Sequence, residues 1–234
     1  MNKKNFRKIG VLVAMESEFS LTRTLLADAR EFTCGTRTGL TGTLGDKQIA
    51  LLKTGIGKVN AASTAWSMLN QWHPDAVVNT GVAGGIDRSL SVGDIVVGAT
   101  TCYHDFYAGE VSDHLKELGF PDPLPAHPAL LASLEQAAQH VEGVRLGQIC
   151  TGDQFITDND MLLAIKRKRP EGLAVDMESN AVAHVCFQQG VPFISFRIIS
   201  DTPWVDNQAE QYARFWTEAP QKNFQLLETL IKRL

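Results

Sequence analysis

The sequence has few cysteines, no marked excess of charge of either sign and no apolar run long enough to cross a membrane. Its four cysteines, Cys34, Cys102, Cys150 and Cys186, stand singly, so no Cys-x-x-Cys pair offers the spacing of a structural zinc site. Cys102, Cys150 and Cys186 lie in apolar segments and read as small buried hydrophobes. With 22 Lys and Arg against 26 Asp and Glu, the net charge is −4, which lacks the electrostatic footprint of a nucleic-acid-binding surface. The densest basic cluster, Lys166-Arg167-Lys168-Arg169, falls at the end of an expected helix. Cations there complement the helix dipole, so a solvated helix terminus is expected. The apolar run Ile9–Met15 is too short to span a bilayer. Glu16 and Glu18 follow at once, so neither a membrane anchor nor a signal peptide is expected, and a cytoplasmic location is the default.

What the sequence does contain is alternation. Short apolar runs at Ile9–Ala14, Ala76–Asn79, Asp94–Thr100, Val144–Thr151, Gly172–Asp176 and Phe193–Ser200 read as buried strands. Gly39–Leu44 and Gln48–Thr54 read as a hairpin around Gly45-Asp46. Between them, helices are expected over Lys58–Trp72, Ala129–His140, Asp160–Lys168, Ser179–Gln189 and Ala209–Leu234, the last with a break at Pro220. In Lys58–Trp72 the apolar positions Val59, Ala62, Ala65, Trp66 and Leu69 have helical spacing. Four prolines between Glu110 and Leu130 predict a loop around a short helix at Ser112–Leu118. Continuous apolar strands alternating with helices imply a central sheet covered on both faces. One three-layer α/β domain over residues 1–234 is expected, with residues 1–8 flexible.

In such folds ligands sit beyond the carboxyl ends of the strands. That rule selects Glu16 and Glu18 after the first strand, Asp153, Asp176 and Glu178 after two later ones, and Ser200-Asp201 after the last. Acidic groups therefore converge on one edge. Gly55-Ile56-Gly57-Lys58 lacks the upstream glycine and the Ser/Thr of a phosphate loop; it reads as a strand-to-helix turn in which glycine permits close backbone approach. Asn79-Thr80-Gly81-Val82-Ala83-Gly84-Gly85 reads as a glycine-rich turn exposing backbone N–H groups. His104-Asp105 has no serine or cysteine nucleophile placed with it, so a structural or interface role is expected there.

Eight motifs in register then carry a resemblance. They are Ala14-Met15-Glu16-Ser17-Glu18, the stretch Thr54 to Ala62, the stretch Asn79 to Gly85, Val92 to Val97, Tyr103-His104-Asp105, Thr151 to Ile156, Val175-Asp176-Met177-Glu178 and Arg197-Ile198-Ile199-Ser200-Asp201. In this order the chain resembles the 5′-methylthioadenosine/S-adenosylhomocysteine nucleosidase family of the purine nucleoside phosphorylase-like superfamily, from Ile9 to Leu234. The resemblance implies a nucleoside phosphorylase-like fold with a mixed, twisted central sheet. It implies hydrolysis of an adenine–ribose bond, with no cofactor and no metal, a small-molecule nucleoside as the partner, and a homodimer. Glu18 would orient and deprotonate the attacking water, Asp201 would protonate adenine N7 with Ser200 steadying it, and Arg197 would lie near the water-binding carboxylates. Glu178 would hold the ribose hydroxyls over Met177, Phe155 would stack on adenine, and the Ile156 backbone would meet the base edge. Met15, Ile56, Val82, Ala83, Gly84, Asp176 and Tyr212 would complete the substrate site.

The chemistry asks for such groups independently. Adenine leaves poorly as an anion, so N7 needs a proton donor, and a carboxyl serves near neutral pH only when burial or a like charge raises its pKa. The sugar becomes cationic as the bond breaks, which a carboxylate on the ribose face stabilises. A phosphorylase of the superfamily would carry an Arg and a Ser where Asn79 and Val82 stand, so water is favoured over phosphate. Val82 also stands where the nucleosidases often carry a Ser, Asp176 is one methylene shorter than their usual Glu, and Phe106–Pro128 departs from their usual segment. The resemblance puts 5′-methylthioadenosine and S-adenosylhomocysteine first as substrates, and the unfamiliar segment leaves 5′-deoxyadenosine or aminodeoxyfutalosine open as alternatives. A phosphorylase and a silent nucleoside-binding domain are the other classes to be distinguished.

Overall fold

The computed structural model describes residues 6–107, 121–138, 142–204, 207–218 and 220–234. In chain order these form β1 (Lys8–Val13), α1 (Glu16–Arg23), β2 (Ala27–Cys34), β3 (Arg37–Leu44), β4 (Lys47–Lys53), α2 (Lys58–Trp72), β5 (Ala76–Gly85), β6 (Ile95–Tyr103), β7 (Leu124–Pro125), α3 (Pro128–Ala138), β8 (Val144–Thr151), α4 (Asn159–Lys168), β9 (Gly172–Asp176), α5 (Ser179–Gln188), β10 (Phe193–Asp201), α6 (Gln208–Glu218) and α7 (Pro220–Arg233).

The apolar run after Lys8 is continuous because both edges and both faces of β1 are covered. β1 pairs in parallel with β4 and with β5. Its alternate residues feed two different cores. Ile9, Val11 and Val13 join Ile49 and Leu51 on the side of α3, α6 and α7, where Leu130, Phe215 and Leu230 pack. Leu12 joins Ala50 and Leu52 on the side of α2 and α5, with Ala65, Met68 and Val182. That is the three-layer arrangement, dictated by the two-residue period of a strand. The sheet order is β10-β6-β8-β9-β5-β1-β4-β3-β2, and β10 also pairs with β5, so five strands close on themselves. β10 runs parallel to β5 but antiparallel to β6, which makes the sheet mixed.

Several local expectations change. The stretch Asn79 to Gly85 is not a turn but the continuation of β5, held by β10 on one side and by β9 at Gly84 and Gly85. Glycine-rich composition there reflects close neighbours, not chain reversal. At Gly81, with φ 146°, a Cβ would collide with the Glu18 carboxylate. β2 was not expected, because an edge strand paired only to β3 is mostly exposed and carries Asp28, Arg30 and Glu31 in place of an apolar stripe. On α2 the buried face is Ala61, Thr64, Ala65, Met68 and Leu69, whereas Val59 and Trp66 are exposed; spacing alone could not choose between two neighbouring stripes. Of residues 1–8, those described are ordered by packing: Phe6 is buried in the core and Lys8 opens β1. Residues 1–5 and the helix expected at Ser112–Leu118 lie outside the described residues. The Lys166–Arg169 cluster does end α4, yet it is not simply solvated. Lys166 donates to Asp87 and to the Pro170 and Gly172 carbonyls, and Arg169 donates to Asp122 and the Tyr103 carbonyl.

Candidate active site

Strand pairing brings the acids together. Gly84 of β5 is the register partner of Val175 in β9 and of Asp201 in β10. The ends of β9 and β10 therefore flank one point, and the turn after β1 adds Ala14 to Glu18. A cavity of about 120 Å³ opens there. The residues that the resemblance assigns to the site line it except Arg197, which lies behind its wall; of the acids that the strand-end rule selected, Glu16 pairs with Lys53 and Asp153 with Lys58, outside the lining.

Glu18 sits in the first turn of α1 and is buried. Its Oε2 accepts from the Ala14 and Met15 N–H groups at 2.8 and 2.9 Å, and its Oε1 from the Val82 N–H at 2.9 Å. Helix capping and site placement are thus one arrangement. Burial raises its pKa, against the Arg197 charge and these three N–H bonds. The contact at Val82 is made by backbone, so a serine side chain is not required for it. Glu16, two residues earlier, is exposed and paired to Lys53.

Arg197, 1% exposed, organises the opposite wall. Its Nε lies 2.8 Å from Asp176 Oδ2 and its Nη2 3.5 Å from Glu178 Oε2, and Nη2 also donates to Asn79 Oδ1. The shorter Asp176 therefore keeps a direct ion pair. Its carboxylate is further held by Thr151 at 2.6 Å and by the Ser179 hydroxyl. Asp176 faces the cavity but its oxygens are committed to the protein. Glu178 accepts from the Gly57 N–H at 3.0 Å, and Gly57, φ 96°, is the left-handed residue that lets the backbone turn so closely before α2. Burial, with Asp176 and Glu18 adding and Arg197 opposing, pushes Glu178 up to about 7.

Asp201, at the end of β10, is raised by burial, against hydrogen bonds from Ser200 and Gln208. The Ser200 hydroxyl lies 2.6 Å from Asp201 Oδ1 and 3.3 Å from the Ala83 carbonyl. Phe155 and Tyr212 meet edge-to-face at 5.8 Å, and the Tyr212 hydroxyl points at Met15 Sδ, 3.6 Å away. These form an apolar wall beside the acids. His104 and Asp105 sit apart from this chemistry: Asp105 pairs with Lys58 at 2.7 Å and accepts from the Asp153 N–H. Ser179, Thr151 and Gln208 were missed as site residues. The first two lie inside or beside quoted motifs, and their hydrogen bonds to the Asp176 carboxylate give them a role, with Asn79 and Ser195 also meeting the Ser179 hydroxyl.

A family model described as the phosphorylase superfamily matches residues 8–232. A 5′-methylthioadenosine/S-adenosylhomocysteine nucleosidase of Staphylococcus haemolyticus (strain JCSC1435) is 36% identical over 229 residues, covering 97% of this chain and 100% of the relative. A crystal structure of S-adenosylhomocysteine nucleosidase from Streptococcus pyogenes, in complex with 5-methylthiotubericidin, superposes with a TM-score of 0.86 at 31% identity, covering 98% of both chains. The futalosine hydrolase of Helicobacter pylori strain 26695 superposes with a TM-score of 0.84 at 28% identity, covering 98% of this chain and 99% of its own.

Proposed function

The chain belongs to the phosphorylase superfamily and, within it, to the 5′-methylthioadenosine/S-adenosylhomocysteine nucleosidases, and from that premise we propose that it hydrolyses the N-glycosidic bond of 5′-methylthioadenosine and S-adenosylhomocysteine to adenine and the 5′-substituted ribose. The observation that carries the choice of water is the lining of the cavity. Among the described residues that line it there is no Lys or Arg, while Glu18, Asp176, Glu178 and Asp201 are all present. Arg197, behind the wall, is already engaged by Asp176, Glu178 and Asn79. With no cation in the lining, a phosphate would be repelled by these carboxylates at short range; a neutral water would not.

In this reading Asp201, whose proton affinity burial raises, gives a proton to N7 of the leaving adenine. Glu178 accepts the ribose hydroxyls and stabilises the positive charge that develops on the sugar. Glu18, held in one orientation by three backbone N–H groups, takes the proton of the attacking water. Phe155, Met177 and Ile156 present the apolar faces that exclude bulk water and fix the base and sugar. Met15 and Tyr212 offer a soft apolar surface suited to a thioether at the 5′ position.

The protein is proposed to act as a homodimer. Val59 and Trp66 on α2, Phe106 and Tyr107 after β6, and Phe187 on α5 are exposed apolar side chains, and α2 and α5 pack together. Exposed apolar groups collected on neighbouring elements mark an interaction surface.

The deciding experiment measures adenine release from a panel of 5′-substituted adenosines, aminodeoxyfutalosine included, with and without phosphate. Release from 5′-methylthioadenosine and S-adenosylhomocysteine at a rate indifferent to phosphate is expected. Turnover that requires phosphate, or that is confined to aminodeoxyfutalosine, would overturn the proposal.

A further inference from the structure

The carboxylate of Asp201 is already occupied, and by an unusual group. Gln208 opens α6 and is buried. Its Nε2 donates to Asp201 Oδ2 at 2.6 Å and to the Ile156 carbonyl at 2.7 Å. Two acceptors from different parts of the chain thus converge on one planar NH₂ group. The exocyclic amino group of an aminopurine is the same chemical object: a planar nitrogen with two N–H bonds fanned apart. The proposed function sets Asp201 at N7 of the base, and the family resemblance sets the Ile156 backbone at the base edge. A carboxamide and an aminopurine cannot both hold this pair of acceptors.

We propose that Gln208 is a gating residue whose carboxamide holds the seat of the base's exocyclic amino group and must withdraw for the base to dock, freeing Asp201 to take up a proton as it does so. The inference rests on the nucleosidase reading above. The movement is a side-chain rotation. α6 itself is tied to the end of β10, where Gln211 Oε1 accepts from the Thr202 N–H at 3.0 Å, whereas a glutamine side chain can change rotamer with its backbone fixed once its hydrogen bonds are exchanged. Withdrawal removes one of the two hydrogen bonds that oppose the effect of burial on Asp201, the other coming from Ser200. The arriving base replaces that donor with its own amino group and adds the N7 lone pair, which a protonated Asp201 meets with a hydrogen bond. The other ionisable groups lining the cavity are Glu18 from α1, Asp176 and Glu178 at the end of β9, and Tyr212 from α6; none of them bonds to Gln208.

The test is calorimetric titration of the purified protein with adenine near neutral pH, in phosphate and in Tris, whose different ionisation enthalpies report proton uptake. For the unaltered protein, proton uptake on binding is expected. Gln208→Ala is expected to bind adenine about three- to tenfold more tightly, the worth of one or two net hydrogen bonds no longer broken, and to take up fewer protons. Gln208→Met, which keeps volume and flexibility without donors, is expected to behave alike and serves if the alanine variant does not fold. A role confined to bracing α6 or Asp201 would leave affinity unchanged or weaken it and leave proton uptake unchanged; either result overturns the gate. Hypoxanthine adds a further arm. Binding of hypoxanthine as tight as adenine, lost in Gln208→Ala, would show that the carboxamide stays and donates to the base, and would also overturn it. Failure of the unaltered protein to bind adenine or release it from any nucleoside sinks the proposed function itself. Adenine binding without tightening in the variants sinks only the gate.

Discussion

Replacing Arg197 by methionine tests the electrostatic core of the site. The side chain is 1% exposed and stands between Asp176, at 2.8 Å, and Glu178, at 3.5 Å, while its charge also acts on Glu18. Methionine keeps much of the volume and removes the charge and all donors. Breaking a buried ion pair from one side costs about 3–5 kcal/mol, because the partner is left charged and unpaired. Thr151 and Ser179 would still serve Asp176, which pulls toward the lower figure. Glu178 and Glu18 lose the same cation, which pulls toward the higher. A loss of about 4 kcal/mol near pH 7 follows, a large share of a typical stability of about 5–15 kcal/mol. The pH dependence has a definite sign. Burial already holds Glu18 and Glu178 above their unfolded pKa values against the Arg197 charge, and without that cation they bind protons more tightly still in the folded state. Their contribution is favourable below the unfolded pKa, about 4, and is lost as pH rises through the folded pKa. The deficit of Arg197→Met should therefore be smaller at about pH 5 than at about pH 7. Urea unfolding followed by tryptophan fluorescence measures it, and Asp176→Asn introduced on top should restore part of the loss. A deficit under about 1 kcal/mol, the worth of an exposed pair, or one equal at both pH values, would refute this account of the site.

Asp201→Asn keeps the shape and removes the proton donor, so kcat for adenine release should fall by about 10²- to 10⁴-fold while the thermal midpoint moves little. With Glu178 needed as a carboxylate and raised to about 7, kcat/KM should fall on the acid side of that pH; Glu178→Gln should abolish this limb along with most activity, and a flat profile down to about pH 5 would count against the role. The same raised pKa means that Glu178 favours the folded state below its unfolded pKa and loses that contribution as pH rises through about 7. Gly81→Ala places a Cβ against the Glu18 carboxylate at a backbone conformation that suits glycine; it should cost about 1–3 kcal/mol in unfolding experiments and depress kcat by displacing Glu18.

The sequence leads to the cavity where chemistry and strand period coincide. Glu18, Glu178 and Asp201 each follow an apolar run, and the rule about strand ends picks them out without any contact being known. It failed where a residue's role depends on a partner far along the chain. Ser179 matters because Asp176, Asn79 and Ser195 meet at its hydroxyl. Gln208 matters because α6 swings its carboxamide onto β10 and Ile156. Neither residue has a local signature, since serines and glutamines at helix starts are commonplace.

The amino-acid sequence alone determined the alternation of buried strands and helices, the choice of acids over cations at the strand ends, and the motif order that marks the family. Those features are local: each is written in a few neighbouring residues by hydrophobic period or side-chain chemistry. The tertiary structure decided that the Asn79–Gly85 stretch is strand, because β9 and β10 both bind it. It decided that β2 exists as an exposed edge, and that Val59 and Trp66 face outward. It also decided that the Gln208 carboxamide joins Asp201 to the Ile156 carbonyl, 52 residues earlier than Gln208 in the chain. Each of these depends on which distant surfaces meet, and a contact between residues far apart in the chain leaves no periodic trace in either segment.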